Sequence, residues 1–131
     1  MRIMFVGDIN LGEYYLSFGH GPKSFLEVDS VFKNVKTIFD KSDFVVGNLE
    51  APITNYNYNK NDPESSVLRV DPKNSYILKE AGFKILQIAN NHIVQHGYDG
   101  FNETLHILRN SGIQAIGLKN EKTFCIESNN I

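Results

Sequence analysis

Polar side chains that can bind a metal ion follow three short apolar segments of the sequence, at the point where each segment ends. They are Asp8 and Asn10 after residues 3–6, Asn48 and Glu50 at the end of residues 43–50, and Asn90, Asn91 and His92 after residues 83–89. Asparagine and histidine suit a strand interior poorly and are costly to bury without hydrogen-bond partners. Their position therefore needs an explanation other than packing.

A divalent metal ion is one such explanation. Two carboxylates, amide oxygens and an imidazole form a set of hard oxygen and nitrogen ligands, which suits Mn, Mg, Fe or Zn better than a thiolate metal would. Ligands of open α/β sheets bind outside the carboxyl ends of the strands, so we expect these side chains to converge although they lie about 40 residues apart. Taken singly, each has an ordinary alternative. Asp8 can cap a helix or turn, the asparagine pair can form an Asx turn, and His92 can be a hydrogen-bonded core histidine.

Two more histidines lie near the proposed strand ends. His96 shares the loop of His92, and we expect an exposed loop histidine there, with a position facing the site as the alternative. His20, in "FGHGPK", follows the first strand, and its position alone makes it a candidate for approaching a substrate. The segment "GDINLG" lacks the three glycines of the dinucleotide-binding fingerprint, so we expect no nucleotide site.

Apolar periodicity predicts an α/β fold. Short apolar runs predict strands, intervals of three and four predict helices, and the Asn- and Tyr-rich stretch 51–66 predicts an exposed loop that could cover a site. The predicted strands are 3–6, 43–50, 83–89, 113–117 and 123–128, with a short one at 67–70, and the predicted helices are 24–41, 72–82 and 99–111. Strands that alternate with helices form crossover units, so we expect a mostly parallel sheet flanked by helices, with the first strand buried on both faces at its centre.

The composition is that of an ordinary globular domain. The 131 residues are 41% hydrophobic and 21% charged, which predicts one α/β domain over residues 1–131. A net charge of -2 without a basic patch argues against nucleic-acid binding. Residues 1–8 predict a strand instead of a signal peptide, and no apolar run approaches a membrane span, so we expect a cytoplasmic protein as given, or a membrane-associated or extracytoplasmic one if a leader was removed. The single cysteine, Cys125, is expected to be buried packing.

The motifs also resemble a known family. "FVGDINLG", "GNLEAPIT", "LRVDP" and "LKEAGFKILQIANNHIVQHGYDGFNETLHILRNSGIQAIG" are similar, in this order, to the bacterial capsule synthesis family of CapA, a branch of the calcineurin-like metallophosphoesterase superfamily. The resemblance covers nearly the whole chain. It implies a role in capsule or poly-gamma-glutamate biosynthesis, a metal-dependent hydrolase site with up to two ions, and a fold resembling the N-terminal half of an αββα sandwich.

The resemblance also assigns roles to individual residues. Asp8 matches a metal-binding aspartate of the first strand, Glu50 stands where the second motif contributes an acid, and Asn91 matches a metal-ligating asparagine. His92 would contact the phosphoryl oxygens or protonate the leaving group, since an imidazole supplies protons near neutral pH. Asn90 would hold the loop in place of touching the metal.

The sequence departs from the superfamily pattern at several points. Asn10 replaces a histidine, Gln95 replaces an aspartate, and the later histidine motifs "HWG" and "GHHPH" are absent. We therefore expect a truncated domain whose uncovered sheet face or edge favours a homo-oligomer. The substrate would be a small molecule or a polymer. The alternative function is a noncatalytic accessory or scaffold domain that binds substrate or partner without metal, and a generic α/β domain whose strand-end polar residues only cap turns is a third reading.

Overall fold

The computed structural model describes residues 1–12, residues 31–120 and Cys125. Its described strands form one sheet in the order β1-β2-β3-β4, and every pair of neighbours is parallel. The strands are β1 (Ile3–Ile9), β2 (Phe44–Leu49), β3 (Phe83–Gln87) and β4 (Gln114–Ile116). The helices that connect them are α1 (Lys33–Phe39), α2 (Tyr76–Ala81) and α3 (Gly97–Asn110). The α/β fold with a parallel sheet and flanking helices is confirmed.

The register of the sheet decides which side chains become neighbours. Asp8 on β1 pairs with Asn48 on β2, and Asn48 pairs with Gln87 on β3. Between Phe5 and Asp8, β1 contains one residue more than the matching part of β2, which shifts the register before Asp8. Such irregularities re-aim side chains near the end of a strand. Three polar residues therefore form a row across three strands near their carboxyl ends.

In the sheet formed by the described residues, the prediction that the first strand lies at the centre is wrong. β1 is at one edge of the described sheet, and Phe5 is 74% exposed there. An apolar run is equally consistent with a central strand and with an edge strand, so periodicity alone could not separate the two. An exposed apolar side chain on an edge strand is a candidate surface for the expected homo-oligomer, which stays a prediction.

Apolar side chains from the strands and helices pack into one core. Leu49, Leu86 and Leu108 are buried there, with Phe39 of α1 packed edge-on against Phe83 of β3 at a ring-centroid separation of 5.4 Å. The helix α2 ends at Gly82, which has a φ of +103°. Glycine adopts this left-handed conformation without steric cost, so the predicted helix end is confirmed.

Several predicted segments differ in detail. The helix predicted at 72–82 is a 3-10 turn, Pro72–Asn74, followed by α2, because tight turns are common where a helix begins. The short strand predicted at 67–70 is not a strand of the described sheet, and Val70 forms an isolated bridge with Ile53. The loop at 51–66 is exposed only from residue 55 onward, since residues 51–54 are buried.

Other predictions fall partly outside the described residues. Residues 24–30 of the first predicted helix and His20 lie there, as does the fifth predicted strand apart from Cys125. Cys125 is exposed, so the expectation of buried packing is wrong. Within the described ranges, no helix combines the length and apolar character needed to cross a membrane.

Candidate functional site

The carboxyl ends of β1, β2 and β3 meet through a chain of hydrogen bonds between side chains. Asn48 Nδ2 donates to Asp8 Oδ1 at 2.6 Å. Asn90 Nδ2 in turn donates to Asn48 Oδ1 at 3.0 Å. These residues are about 40 positions apart in sequence, so the sheet, and no local turn, brings them together. We call Asp8, Asn48 and Asn90 the amide chain.

Asn90 anchors the loop that follows β3. Its Nδ2 also donates to the carbonyl oxygen of Leu49 at 2.9 Å. Its Oδ1 accepts from the backbone N–H groups of His92 and Ile93, each at 3.0 Å. The side chain therefore joins the end of β2 to the loop, and the loop conformation that positions His92 depends on it. The expected role of Asn90 in holding the loop agrees with these contacts.

The imidazole of His92 lies beside Glu50. His92 Nε2 is 3.9 Å from Glu50 Oε1 and 3.0 Å from Asn91 Nδ2. On its other side, His92 Nδ1 is 3.0 Å from Gln95 Oε1. Because an amide oxygen accepts and an amide nitrogen donates, these partners favour the tautomer with its proton on Nδ1 and a lone pair on Nε2. Gln95, which replaces the expected aspartate, thus orients the imidazole without adding charge.

The side chain of Asn10 contacts the loop that follows β1. Its Oδ1 accepts from the backbone N–H of Gly12 at 2.9 Å. Its Nδ2 is buried and has no hydrogen-bond partner among the described residues. The unpartnered atom of Asn10 is therefore a donor, and its oxygen already accepts one hydrogen bond.

His96 is not the exposed loop histidine that the sequence suggested. It is only 7% exposed, and its Nε2 is 2.9 Å from the carbonyl oxygen of Val67. The segment at residue 67 packs over this loop and buries the imidazole, which the sequence could not show because the two lie 29 residues apart. The contact supports packing of the loop and gives no reason to place His96 in the site.

Sequence reasoning missed Gln87, which shares the row of Asp8 and Asn48. Its Nε2 donates to the carbonyl oxygen of Ala89 at 3.0 Å, while its Oε1 is buried without a donor in the part of the chain that the structure describes. The signal was present in "FKILQIA", where Gln87 is the polar residue closest to the end of an apolar run.

Arg69 was also missed, and it fixes the loop beside the site. It is 2% exposed, and its Nη1 donates to the carbonyl oxygen of Thr54 at 2.8 Å and to Asn55 Oδ1 at 2.9 Å. The guanidinium lies 3.8 Å from the centroid of the Tyr58 ring. Burial lowers the pKa of Arg69 despite the opposing effect of nearby Asp71. Arginine is nonetheless charged at neutral pH, so these contacts hold a buried cation.

The side chains fit a hard divalent cation in kind. Carboxylate, amide and imidazole ligands are the ones that such cations take, and the unpartnered oxygen of Gln87 is an acceptor without a donor. In number the charged ligands are few, because residues 1–12 and 31–120 contain no group of three Asp, Glu, His or Cys side chains arranged for a metal. Amide oxygens would therefore have to complete the coordination.

Comparison with known proteins gives the family. The family described as "Bacterial capsule synthesis protein PGA_cap" matches residues 2–124. The chain belongs to this capsule synthesis family. It is 34% identical over 114 residues to the "PGA biosynthesis protein CapA" of Bacillus subtilis (strain 168), which is 86% of this chain and 29% of that protein. It is 29% identical over 120 residues to the "Capsule biosynthesis protein CapA" of Bacillus anthracis, 89% of this chain and 28% of that protein.

The match of the capsule synthesis family includes all of the strand ends described above. The family resemblance stated from the motifs "FVGDINLG", "GNLEAPIT", "LRVDP" and the segment containing "ANNH" is confirmed. The chain spans less than a third of the length of either curated relative. The activity of the whole protein is therefore a matter for proposal.

Proposed function

We propose that this member of the capsule synthesis family acts in capsule or poly-gamma-glutamate biosynthesis through a metal-dependent phosphoesterase-type site. The proposed site lies at the carboxyl ends of β1, β2 and β3. One observation carries the proposal: the amide chain joins three strand ends while His92 Nε2 lies 3.9 Å from Glu50 Oε1. Hydrogen bonds between side chains of β1, of β2 and of the loop after β3 build a defined polar surface, whereas residues that only cap turns would not need to contact one another.

Three side chains are the proposed metal ligands. Asp8 and Glu50 supply carboxylates, and Asn91 supplies its amide oxygen while its Nδ2 is engaged with His92. The ion would be Mn, Mg, Fe or Zn, all of which accept this mixture of ligands. When bound, such an ion polarises a phosphoryl oxygen and makes a bound water more acidic.

His92 is the proposed catalytic residue. Gln95 Oε1 accepts from Nδ1 and fixes the ring, so Nε2 is the nitrogen that faces Glu50 and exchanges a proton. In this role Nε2 contacts a phosphoryl oxygen or delivers a proton to the leaving oxygen. The loop held by Asn90 keeps the ring within reach of the strand ends.

A cavity next to the site has room for a substrate. It has a volume of about 550 Å³, and Asn90 is shared between its wall and the amide chain. Tyr98 and Phe101 supply apolar surface, and Lys119 adds a positive charge. A phosphorylated small molecule or a segment of an anionic polymer would suit this combination of charge and apolar contact.

The noncatalytic alternative is favoured by a different observation. Asp8, Asn48 and Asn90 satisfy one another by hydrogen bonds without a metal, and the described residues bring no three acidic, histidine or cysteine ligands together. A preformed amide surface of this kind could bind a substrate or partner protein by hydrogen bonds alone. In that case the protein would be an accessory or scaffold domain of polymer biosynthesis.

Calorimetric titration of the metal-stripped protein with Mn²⁺ separates the two. We expect saturable binding that is weakened at least about 10-fold in Asp8→Ala, a loss typical when a metal site is disturbed. Asp43→Ala is the matched control, because Asp43 is an exposed aspartate that precedes β2 at the opposite end of the sheet. It should bind like the wild type.

Phosphomonoesterase activity with an aryl phosphate should then depend on Mn²⁺ and on His92. If the folded wild type shows no saturable Mn²⁺ binding, the metal-dependent function is refuted and the accessory function remains. Equal weakening by Asp8→Ala and Asp43→Ala would show that binding is not located at the strand ends.

A further inference from the structure

We propose that Gln87 is an additional ligand of the candidate site and that its Oε1 binds the divalent cation. The proposal rests on the proposed function, because it assigns one more residue to the same metal. The observation behind it is a buried amide oxygen without a donor in the polar row of the sheet.

The register of the sheet places Gln87 beside the proposed ligands. Asp8, Asn48 and Gln87 are successive partners across β1, β2 and β3. Partners in adjacent parallel strands present their side chains on the same face, and neighbouring strands are about 4.8 Å apart. Gln87 therefore lies two strands from Asp8, with Asn48 between them, on the face where Asn48 already contacts Asp8.

The two ends of the Gln87 amide differ in their surroundings. Nε2 donates to the carbonyl oxygen of Ala89 at 3.0 Å, which fixes the orientation of the group. Oε1 is enclosed, and no described residue donates to it. A buried acceptor without a partner is unfavourable unless a donor, a water or a cation fills it.

The side-chain oxygens of three asparagines near this row each accept at least one hydrogen bond. Asn48 Oδ1 accepts from Asn90, and Asn90 Oδ1 accepts from two backbone N–H groups. Asn10 Oδ1 accepts from Gly12 N, and what remains free on Asn10 is a nitrogen, which cannot bind a cation. Gln87 Oε1 differs from these oxygens because it is buried and no described residue donates to it.

The charge balance points the same way. The described residues offer no cluster of three charged or imidazole ligands, so a cation at this edge needs neutral oxygens. Hard divalent cations accept amide carbonyl oxygens readily. Gln87 Oε1 supplies such an oxygen without adding a negative charge near Asp8.

The test compares Mn²⁺ binding by calorimetry in the wild type and three variants. Gln87→Met keeps the length of the side chain and removes the oxygen, and we expect Mn²⁺ to bind at least about 10-fold more weakly. Gln87→Glu supplies a charged oxygen at the same place, and we expect binding at least as tight as that of the wild type. Gln114→Met is the matched control, because Gln114 is a partly buried glutamine on β4 that lies outside the row.

The outcomes separate this inference from the proposed function. If Gln87→Met binds Mn²⁺ like the wild type while Asp8→Ala does not, the proposed metal site stands and Gln87 is not its ligand; a buried water then fills the space. If the wild type binds no Mn²⁺, both fail. If circular dichroism shows that Gln87→Met is unfolded, the Mn²⁺ affinity of Gln87→Glu becomes the test. Weaker binding by Gln87→Glu than by the wild type would then refute the inference.

Discussion

Replacement of Asn90 by alanine should destabilise the protein far more than the same change at its neighbour Asn91. The Asn90 side chain makes four hydrogen bonds, which join the end of β2 to the loop after β3. Asn91 is exposed, and within the described residues its side chain hydrogen-bonds the His92 ring alone. The two residues are adjacent and chemically identical, so the comparison isolates the effect of these bonds.

The size of the effect follows from the bonds lost. A net contribution of about 1 kcal/mol for each hydrogen bond gives about 4 kcal/mol as an upper value. Asn90 is partly exposed, so water can replace some of its contacts, and we expect Asn90→Ala to lower the free energy of unfolding by about 2–4 kcal/mol. Asn91→Ala should change it by less than about 0.5 kcal/mol, as is usual for a surface residue.

Urea denaturation followed by circular dichroism measures both variants on one scale. The slope of the free energy against urea concentration should stay constant, which shows that the change lies in stability and not in the extent of unfolding. Asn90→Asp adds a further control, because it retains the acceptor for His92 N and Ile93 N and loses the donor to Asn48 and Leu49. If Asn90→Ala and Asn91→Ala differed by less than about 1 kcal/mol, Asn90 would not hold the loop in solution.

Two further predictions concern the segment around Arg69. A Cβ on Gly12 would lie 2.5 Å from the carbonyl oxygen of Arg69, whereas a Cβ on Gly7 would have no atom within 4 Å. Gly12→Ala should therefore destabilise the protein by about 1–3 kcal/mol in thermal or urea denaturation, and equal effects of Gly12→Ala and Gly7→Ala would contradict the close approach. The second prediction concerns the carboxyl group of Asp71. Partial burial raises the pKa of Asp71, whereas hydrogen bonds from Lys73 and the positive charges of Lys73 and Arg69 lower it. The lowering effects are larger together, so the pKa lies below its ordinary value. Since the ionised form is favoured in the folded state, Asp71 contributes stability above its unfolded pKa of about 3.9 that is lost as the pH falls toward the lower folded value. Between about pH 5 and pH 3, the free energy of unfolding should therefore fall less in Asp71→Asn than in the wild type. Equal pH dependence of the two proteins would show that the pKa of Asp71 is not lowered in the folded state.

The elements that the sequence predicted well are those with a local cause. Strand ends at Asp8, Asn48 and Asn90 were visible because polar residues interrupt apolar runs there, and Gly82 ends a helix because its backbone is left-handed. The convergence of these ends followed from the general property that parallel strands share a carboxyl edge. These inferences needed no knowledge of which strands are neighbours.

The features that were missed have long-range causes. His96 is buried because a segment 29 residues away covers it, and β1 is at an edge because of strand order, which periodicity does not encode. A single glutamine in an apolar strand gives no functional signal in the sequence, and only the strand register shows that Gln87 is the neighbour of Asn48. Arg69 lies in an apolar segment of the sequence, and its guanidinium finds acceptors on Thr54 and Asn55, which are 15 and 14 residues away.

The amide chain has a direction that its members cannot reverse one at a time. Turning Asn48 alone would place its nitrogen against the nitrogen of Asn90 and its oxygen against the oxygen of Asp8, two repulsions in place of two bonds. Asn90 cannot turn either, since two backbone N–H groups hold its oxygen and the Leu49 carbonyl holds its nitrogen. The main chain of one loop thereby dictates, through two side chains, that Asp8 on a distant strand meets a donor and never an acceptor.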